Sequence, residues 1–249
     1  MPVPALGGFI TRESPVPSLH GRALGVINRA RLDGTSVVLV ASGKGGCGKT
    51  TLLLNTAVGY ARARRRVLII DADIEQRTSQ KWPRPANLNN PTVVECAPRD
   101  ILETLAANIA GSDMVLIDLP GRDVLATGPV MEVVDLLVSP SKPTHQDMQE
   151  LGRFIRIAQA RQVPHLVVFN EANREATAEI EGLKQAFAEF APFLPIAMQQ
   201  LSSYRRVYPN GRGVLEIQTS DPARENFARV FDGLRGEIAR AHSQRMALL

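Results

Sequence analysis

Lys44, Lys49, Thr50, Asp71, Asp73 and Asp118 are the side chains whose types and spacing could do chemistry. Residues 43–50 read Gly-Lys-Gly-Gly-Cys-Gly-Lys-Thr and fit G-x-x-x-x-G-K-[ST], a phosphate-cradling pattern. Glycines at Gly43, Gly45, Gly46 and Gly48 let the backbone curl until successive N–H groups, through Lys44, Cys47 and Thr51, point at phosphate oxygens. A helix opening at Lys49-Thr50-Thr51 adds its own unpaired N–H groups and partial positive charge. In this pattern Lys49 reaches the β- and γ-phosphates and the Thr50 hydroxyl binds Mg²⁺. Asp71, Asp73 and Asp118 end two apolar runs, and carboxylates at such ends sit where open α/β sheets bind ligands. Beside the glycine loop, Asp118 has the form of the carboxylate that helps hold Mg²⁺. The chemistry is that of a nucleoside triphosphate.

These residues need strands that end together. Val37–Val40, Val67–Ile70, Met114–Ile117, Leu136–Val138 and Leu166–Phe169 read as buried strands, with Thr92–Cys96 a weaker one. Helical spacing falls between them, over residues 51–63, 99–110, 146–162 and 176–190, and in a closing helix over 222–242. Residues 201–216 read as a polar connection. Regular alternation predicts a single doubly wound, mostly parallel α/β sheet with helices on both faces, the P-loop NTPase arrangement. Residues 1–35 read as an N-terminal extension and 36–249 as the main domain. Residues 1–18, with four prolines and a Gly-Gly pair, are expected to be poorly ordered. Leu19–Leu32 has helical spacing, with Arg22, Arg29 and Arg31 among its polar positions; it reads as a helix packed on the main domain or a basic arm touching DNA or a partner.

Composition narrows the classes. Hydrophobic residues make up 44% and charged residues 22% of 249, ordinary for a soluble globular protein. With no apolar run of membrane-spanning length, no signal-peptide pattern and only Cys47 and Cys96, a cytoplasmic setting is expected. Of the 29 basic residues only five, at 44, 49, 81, 142 and 184, are lysine. The arginine excess fits phosphate contact and equally fits a codon bias.

Lys44, directly after the first glycine, makes Lys44-Gly45-Gly46-Cys47-Gly48-Lys49-Thr50-Thr51 resemble the deviant Walker A motif of the ParA/MinD family. Val67–Asp73 resembles that family's second signature and Val115–Asp118 its Walker B strand. Val167–Asn170 resembles the strand whose Asn recognises adenine, and Gly211–Glu216 the G-x-x-V-x-E segment of partition ATPases. Two departures stand out: Asp73 is followed by Ile74-Glu75-Gln76 with Trp82 nine residues on, and Leu201 replaces an Arg usual before the position of Tyr204. The resemblance implies ATP and Mg²⁺, with Lys49 and the loop holding phosphates, Thr50, Asp71 and Asp118 serving the metal, and Asn170 the base. Asp73 is implied to position the attacking water, with Glu75 as a substitute across the insertion. Lys44 is implied to cross to the nucleotide of a second subunit, which makes hydrolysis slow and dependent on an ATP-sandwich homodimer.

Three functions share these motifs. The leading expectation is a DNA-segregation ATPase, nucleoid-associated, whose dimer binds DNA without sequence preference and is released by a ParB-like partner. Arg205, Arg206, Arg212, Arg224 and Arg229 are its candidate phosphate contacts, with Arg235 and Arg240 further along the last helix. The alternatives are a positioning ATPase for another cargo, in conjugation, chemotaxis or cellulose synthesis, and a MinD-like membrane-cycling regulator. The C-terminal stretch lacks the long apolar face a membrane helix needs. Cys47 and Cys96 lack the spacing to bridge a metal cluster, which disfavours the family's metal carriers.

Overall fold

The computed structural model describes residues 19–74, 79, 81–120 and 128–249. The expected disorder of residues 1–18 and the substitute role of Glu75 lie outside the described residues. Among the described residues six strands form one sheet: β1 (Ser36–Val40), β2 (Val67–Asp71), β3 (Thr92–Glu95), β4 (Met114–Asp118), β5 (Leu136–Ser141) and β6 (His165–Phe169). Their order is β3-β2-β4-β1-β5-β6 and every pairing is parallel. The helices are α1 (Leu19–Leu32), α2 (Lys49–Arg62), α3 (Ile101–Asn108), α4 (His145–Ala160), α5 (Thr177–Ala186), α6 (Ser203–Val207) and α7 (Pro222–Met246).

Strand period and helix stripe together explain the two-sided core. Val37, Leu39, Leu68 and Ile70 face one side, where they pack under α1, α3, α4 and α5. Val38, Val40, Val67 and Ile69 face the other, under α2, α6 and α7. Strands covered on both faces read as unbroken apolar runs, which is why the sequence shows them so clearly.

Register places the site. Val40 is paired with Asp118, and Asp118 with Asp71, so the ends of β1, β4 and β2 form one row. The glycine loop leaves β1 at one end of that row, where the strand order reverses and such sheets bind their ligands.

Several elements differ from the sequence expectation. The stretch 201–216 is not a plain connection; it holds α6 and two single 3₁₀ turns, Tyr208–Asn210 and Val214–Glu216. The second starts at Gly213, whose N–H donates to the Glu216 carboxylate, 3.0 Å. The helix expected over 176–190 stops at Ala186, and α7 runs on past 242 to Met246. Asp221 caps α7 by accepting from Ala223 and Arg224, with Pro222 at the first position where no N–H is missed.

Arg31 is not a surface charge. It is buried, and its guanidinium donates to Asp135 at 2.6 and 3.2 Å. Asp135 also accepts from the Val37 N–H at 2.8 Å and lies 3.0 Å from His242 Nδ1 on α7. Ala23 and Ile27 sink into the core beside α3. Helix α1 is thus packed on the sheet and tied to the first strand and the last helix.

Candidate functional site

The loop from Gly43 to Gly48 is held open by backbone conformation. Gly46 and Gly48 have φ of +72° and +94°, the left-handed region that glycine enters without strain. Among the described residues no protein acceptor takes the backbone N–H groups of Gly43 through Thr51. Several unpaired donors in one concave turn, at the start of a 14-residue helix, form an anion nest. Lys49 is buried, and its ammonium makes one long bond, 3.5 Å, to the Lys44 carbonyl. A buried ammonium so weakly satisfied calls for an anion beside it.

At the row of strand ends the Thr50 hydroxyl donates to Asp118 Oδ2, 2.9 Å, and the Ser79 hydroxyl donates to the same oxygen, 3.1 Å. Asp118 Oδ1 is buried with no partner. Burial pushes the Asp118 carboxyl up to about 6, and the neighbouring Asp71 carboxylate adds to this against the two hydroxyl bonds and the Lys49 charge. Asp71 is fully buried and accepts from the Asp73 N–H, 3.1 Å. Among the described residues no cluster of three His, Cys, Asp or Glu side chains forms a cation cage. Two carboxylates and a hydroxyl beside a phosphate nest are instead the donor set Mg²⁺ uses when a nucleotide completes its shell. The orphaned Asp118 oxygen and the raised carboxyl fit a missing dication.

Asn170, at the end of β6, donates to the Cys47 carbonyl, 2.9 Å. It packs so closely on the loop that a Cβ at Gly48 would lie 1.9 Å from its Nδ2. It also borders a cavity of about 300 Å³ shared with Thr51, Gln199, Leu201, Tyr204 and Arg205, beside the phosphate nest. Asn170 is therefore held between the loop and the cavity.

Lys44 points away from its own loop. Its ammonium lies 2.7 Å from Asp147 Oδ1 and 3.9 Å from Glu150 Oε2, both on α4. Burial pushes the Asp147 carboxyl up, but Lys44 and the Thr144 hydroxyl outweigh it and hold it below the usual range. Asp147 and Ser79 were not found by sequence reasoning. For Asp147 a signal existed, Thr144 three residues ahead as the cap of α4; for Ser79 there was none.

The arginines divide. Arg206 donates to Asp221 and Ser203, both at about 2.8–2.9 Å, and serves the α7 cap. Arg224 donates to backbone carbonyls of Gln218 and Thr219. Arg205, Arg212 and Arg229 are exposed and have no ion-pair partner among the described residues.

Strand, glycine loop and helix, with two strand-end carboxylates in register, define a P-loop nucleotide-binding protein. Residues 38–207, more than half of the chain, match the CobQ/CobB/MinD/ParA nucleotide binding domain, and the chain belongs to that family. It is 38% identical over 118 residues to maintenance of carboxysome distribution protein A from Gloeobacter kilaueensis. That match covers 46% of this chain and 53% of the relative, so it spans about half the length of the curated protein. Among solved structures, the septum site-determining protein MinD of Pyrococcus horikoshii with Mg-ADP superposes with a TM-score of 0.65 at 16% identity, covering 80% of this chain and 96% of that one. McdA of Cyanothece in an ATP complex superposes at 0.60 and 16% identity, covering 81% and 97%. At these identities the superpositions show the shared fold.

Proposed function

We propose that the protein is an ATP-hydrolysing positioning factor of the ParA/MinD type whose cargo is a large protein assembly and not a plasmid. The observation that carries the choice of cargo is the 38% identity to a carboxysome distribution protein. It moves the balance from DNA partition with a ParB-like partner to the alternative of another cargo. The unpaired loop N–H groups and Lys49 would bind the phosphates, and Asn170 would meet the base. Thr50, Asp118 and Asp71 would hold Mg²⁺, which when bound supplies positive charge beside the phosphate oxygens. Asp73, half-buried two residues after Asp71, would position the attacking water.

Lys44 would leave Asp147 and neutralise charge on the nucleotide of a second copy of the chain. Hydrolysis would then depend on pairing, and its slow rate would time the cycle. Arg205, Arg212 and Arg229 are the proposed contacts to DNA, which would serve as the track in a nucleoid-associated cycle; Arg206 and Arg224 already have protein partners. An adaptor on the cargo would take the ParB-like place as the stimulator of hydrolysis.

The test has two arms. Purified protein should be retained on DNA-coated beads with Mg-ATP and released by ADP or by raised salt. Deletion in the host should disturb the spacing of a cytoplasmic protein assembly while plasmid retention stays normal. Plasmid loss with undisturbed assemblies would return the reading to partition.

A further inference from the structure

We propose that Arg84 is a positioning residue that ties the state of the nucleotide site to the arginine-bearing segment 203–216. The inference rests on the reading of a nucleotide-gated surface given above, and it adds the joint through which the gating passes. The segment that follows Asp71 and Asp73 reaches the metal-binding row through Ser79, whose hydroxyl bonds Asp118. Three residues later Trp82 is buried, and the Arg84 guanidinium lies 4.9 Å from the centre of its ring.

Arg84 then crosses to the other segment. Its Nη1 donates to Glu216 at 2.7 Å and to the Gly211 carbonyl at 3.1 Å, and its Nη2 to the Asn90 carbonyl at 3.0 Å. The pair is nearly enclosed, with Arg84 and Glu216 side chains 11% and 9% exposed. Glu216 in turn accepts from the Gly213 N–H. The backbones also touch: Gly211, at φ +63°, stands so close that a Cβ there would lie 2.1 Å from the Pro83 carbonyl oxygen. From the opposite side the nucleotide helix α2 grips the same segment, Asn55 Oδ1 accepting from the Val214 N–H at 2.8 Å. Residues 211–216 are therefore clamped between α2 and residues 83–84. Arg212 projects from that clamped segment, and Arg205 from α6 just before it.

A solvent-open cleft of about 300 Å³ runs beside the clamp, bordered by Thr50, Trp82, Tyr204, Tyr208 and Arg212. In its wall Trp82 Nε1 and Tyr204 OH are buried without partners, and so is Arg84 Nε in the clamp itself. Buried polar groups are normally paired, so orphaned donors beside an open cleft mark where the fold can rearrange at least cost. Its position, between the carboxylate row and the arginines, is where a two-state element must sit to couple them.

Trp82 is the only tryptophan in the chain, so its emission reads the joint directly. In wild-type protein the emission should differ between Mg-ATP and Mg-ADP. DNA retention should differ between the two nucleotides by about tenfold or more, within the usual range for coupled sites. Arg84→Met should erase both differences while a fluorescent ATP analogue binds within about threefold of wild type, a change far below the coupling lost. Glu216→Gln should behave alike, and Arg84→Glu combined with Glu216→Arg should restore the emission difference. The proposal is overturned if wild-type emission is the same with both nucleotides, if either single variant keeps the wild-type differences, or if nucleotide affinity falls together with them. A wild-type emission change without ATP-dependent DNA retention overturns DNA as the track and supports the joint, because the emission readout needs no DNA.

Discussion

Replacing Asp118 by Asn should make the nucleotide-free protein more stable while abolishing its response to Mg²⁺. Asp118 is buried, shares the row of strand ends with Asp71, and has its carboxyl pushed up to about 6 from an ordinary 3.8. At about 1.4 kcal/mol per pH unit, keeping that carboxylate ionised in the folded chain at pH 7 costs about 3 kcal/mol relative to the unfolded chain. An amide carries no charge and still accepts from Thr50 and Ser79. The expected gain is about 1–3 kcal/mol, or about 2–4 °C in melting temperature per kcal/mol for a chain of this size.

The sign follows from linkage. A carboxyl whose folded pKa lies above its unfolded value holds its proton more tightly when folded. Its contribution to stability is therefore fully present below about 3.8 and is lost as pH rises towards about 6. The difference in stability between Asp118→Asn and wild type should be near zero at pH 4 and reach its full value by pH 7. Urea unfolding with a chelator present, over that range, measures it. Asp113, Asp135, Asp147 and Asp221 have lowered pKa values and pull the other way as pH falls, but they are common to both proteins and cancel. Adding Mg-ATP should raise the wild-type melting temperature and leave the variant unchanged. A difference flat with pH, or a variant less stable at pH 7, would refute the reading of Asp118 as a charge awaiting a dication.

Gly48→Ala must place a Cβ at φ +94° and 1.9 Å from the Asn170 amide, so it should cost about 2–4 kcal/mol in urea unfolding and abolish binding of a fluorescent nucleotide. Lys44→Ala should keep nucleotide affinity within a few-fold but remove the rise of specific ATPase rate with protein concentration, since a cation supplied in trans is worth about 10³–10⁵ in rate in other NTPases. A normal concentration dependence in that variant would rule out the crossing lysine. Arg31→Met should leave Asp135 buried without its cation and cost about 3–5 kcal/mol by thermal unfolding, with nucleotide affinity in the surviving folded protein unchanged. A shift near zero would mean that α1 is only loosely attached.

What the sequence made legible was whatever is carried by residues close together in the chain. The glycine loop, the strand ends at Asp71 and Asp118 and the helix over 19–32 are local patterns, and both strand period and helix stripe survive folding unchanged. Register was not local, yet it followed, because a parallel sheet wound on both faces brings its strand ends to one edge. The illegible part consists of contacts whose chain separation is set by loops. Ser79 meets Asp118 across 39 residues, Arg84 meets Glu216 across 132, and Arg31 meets Asp135 across 104. Nothing in a composition window distinguishes Arg31, which is buried, from Arg29, which faces solvent two residues earlier. The same limit hides the bond of the exposed Arg206 to Asp221, 15 residues on. Charge is legible as a count and illegible as an assignment, because an ion pair is decided by where two loops return the chain. Lys44 is the sharpest case: its place in the loop marks it for an anion, while the fold sets Asp147 within 2.7 Å of it. Any other anion that draws Lys44 must first displace that carboxylate, which ties the reach of Lys44 to the geometry of α4.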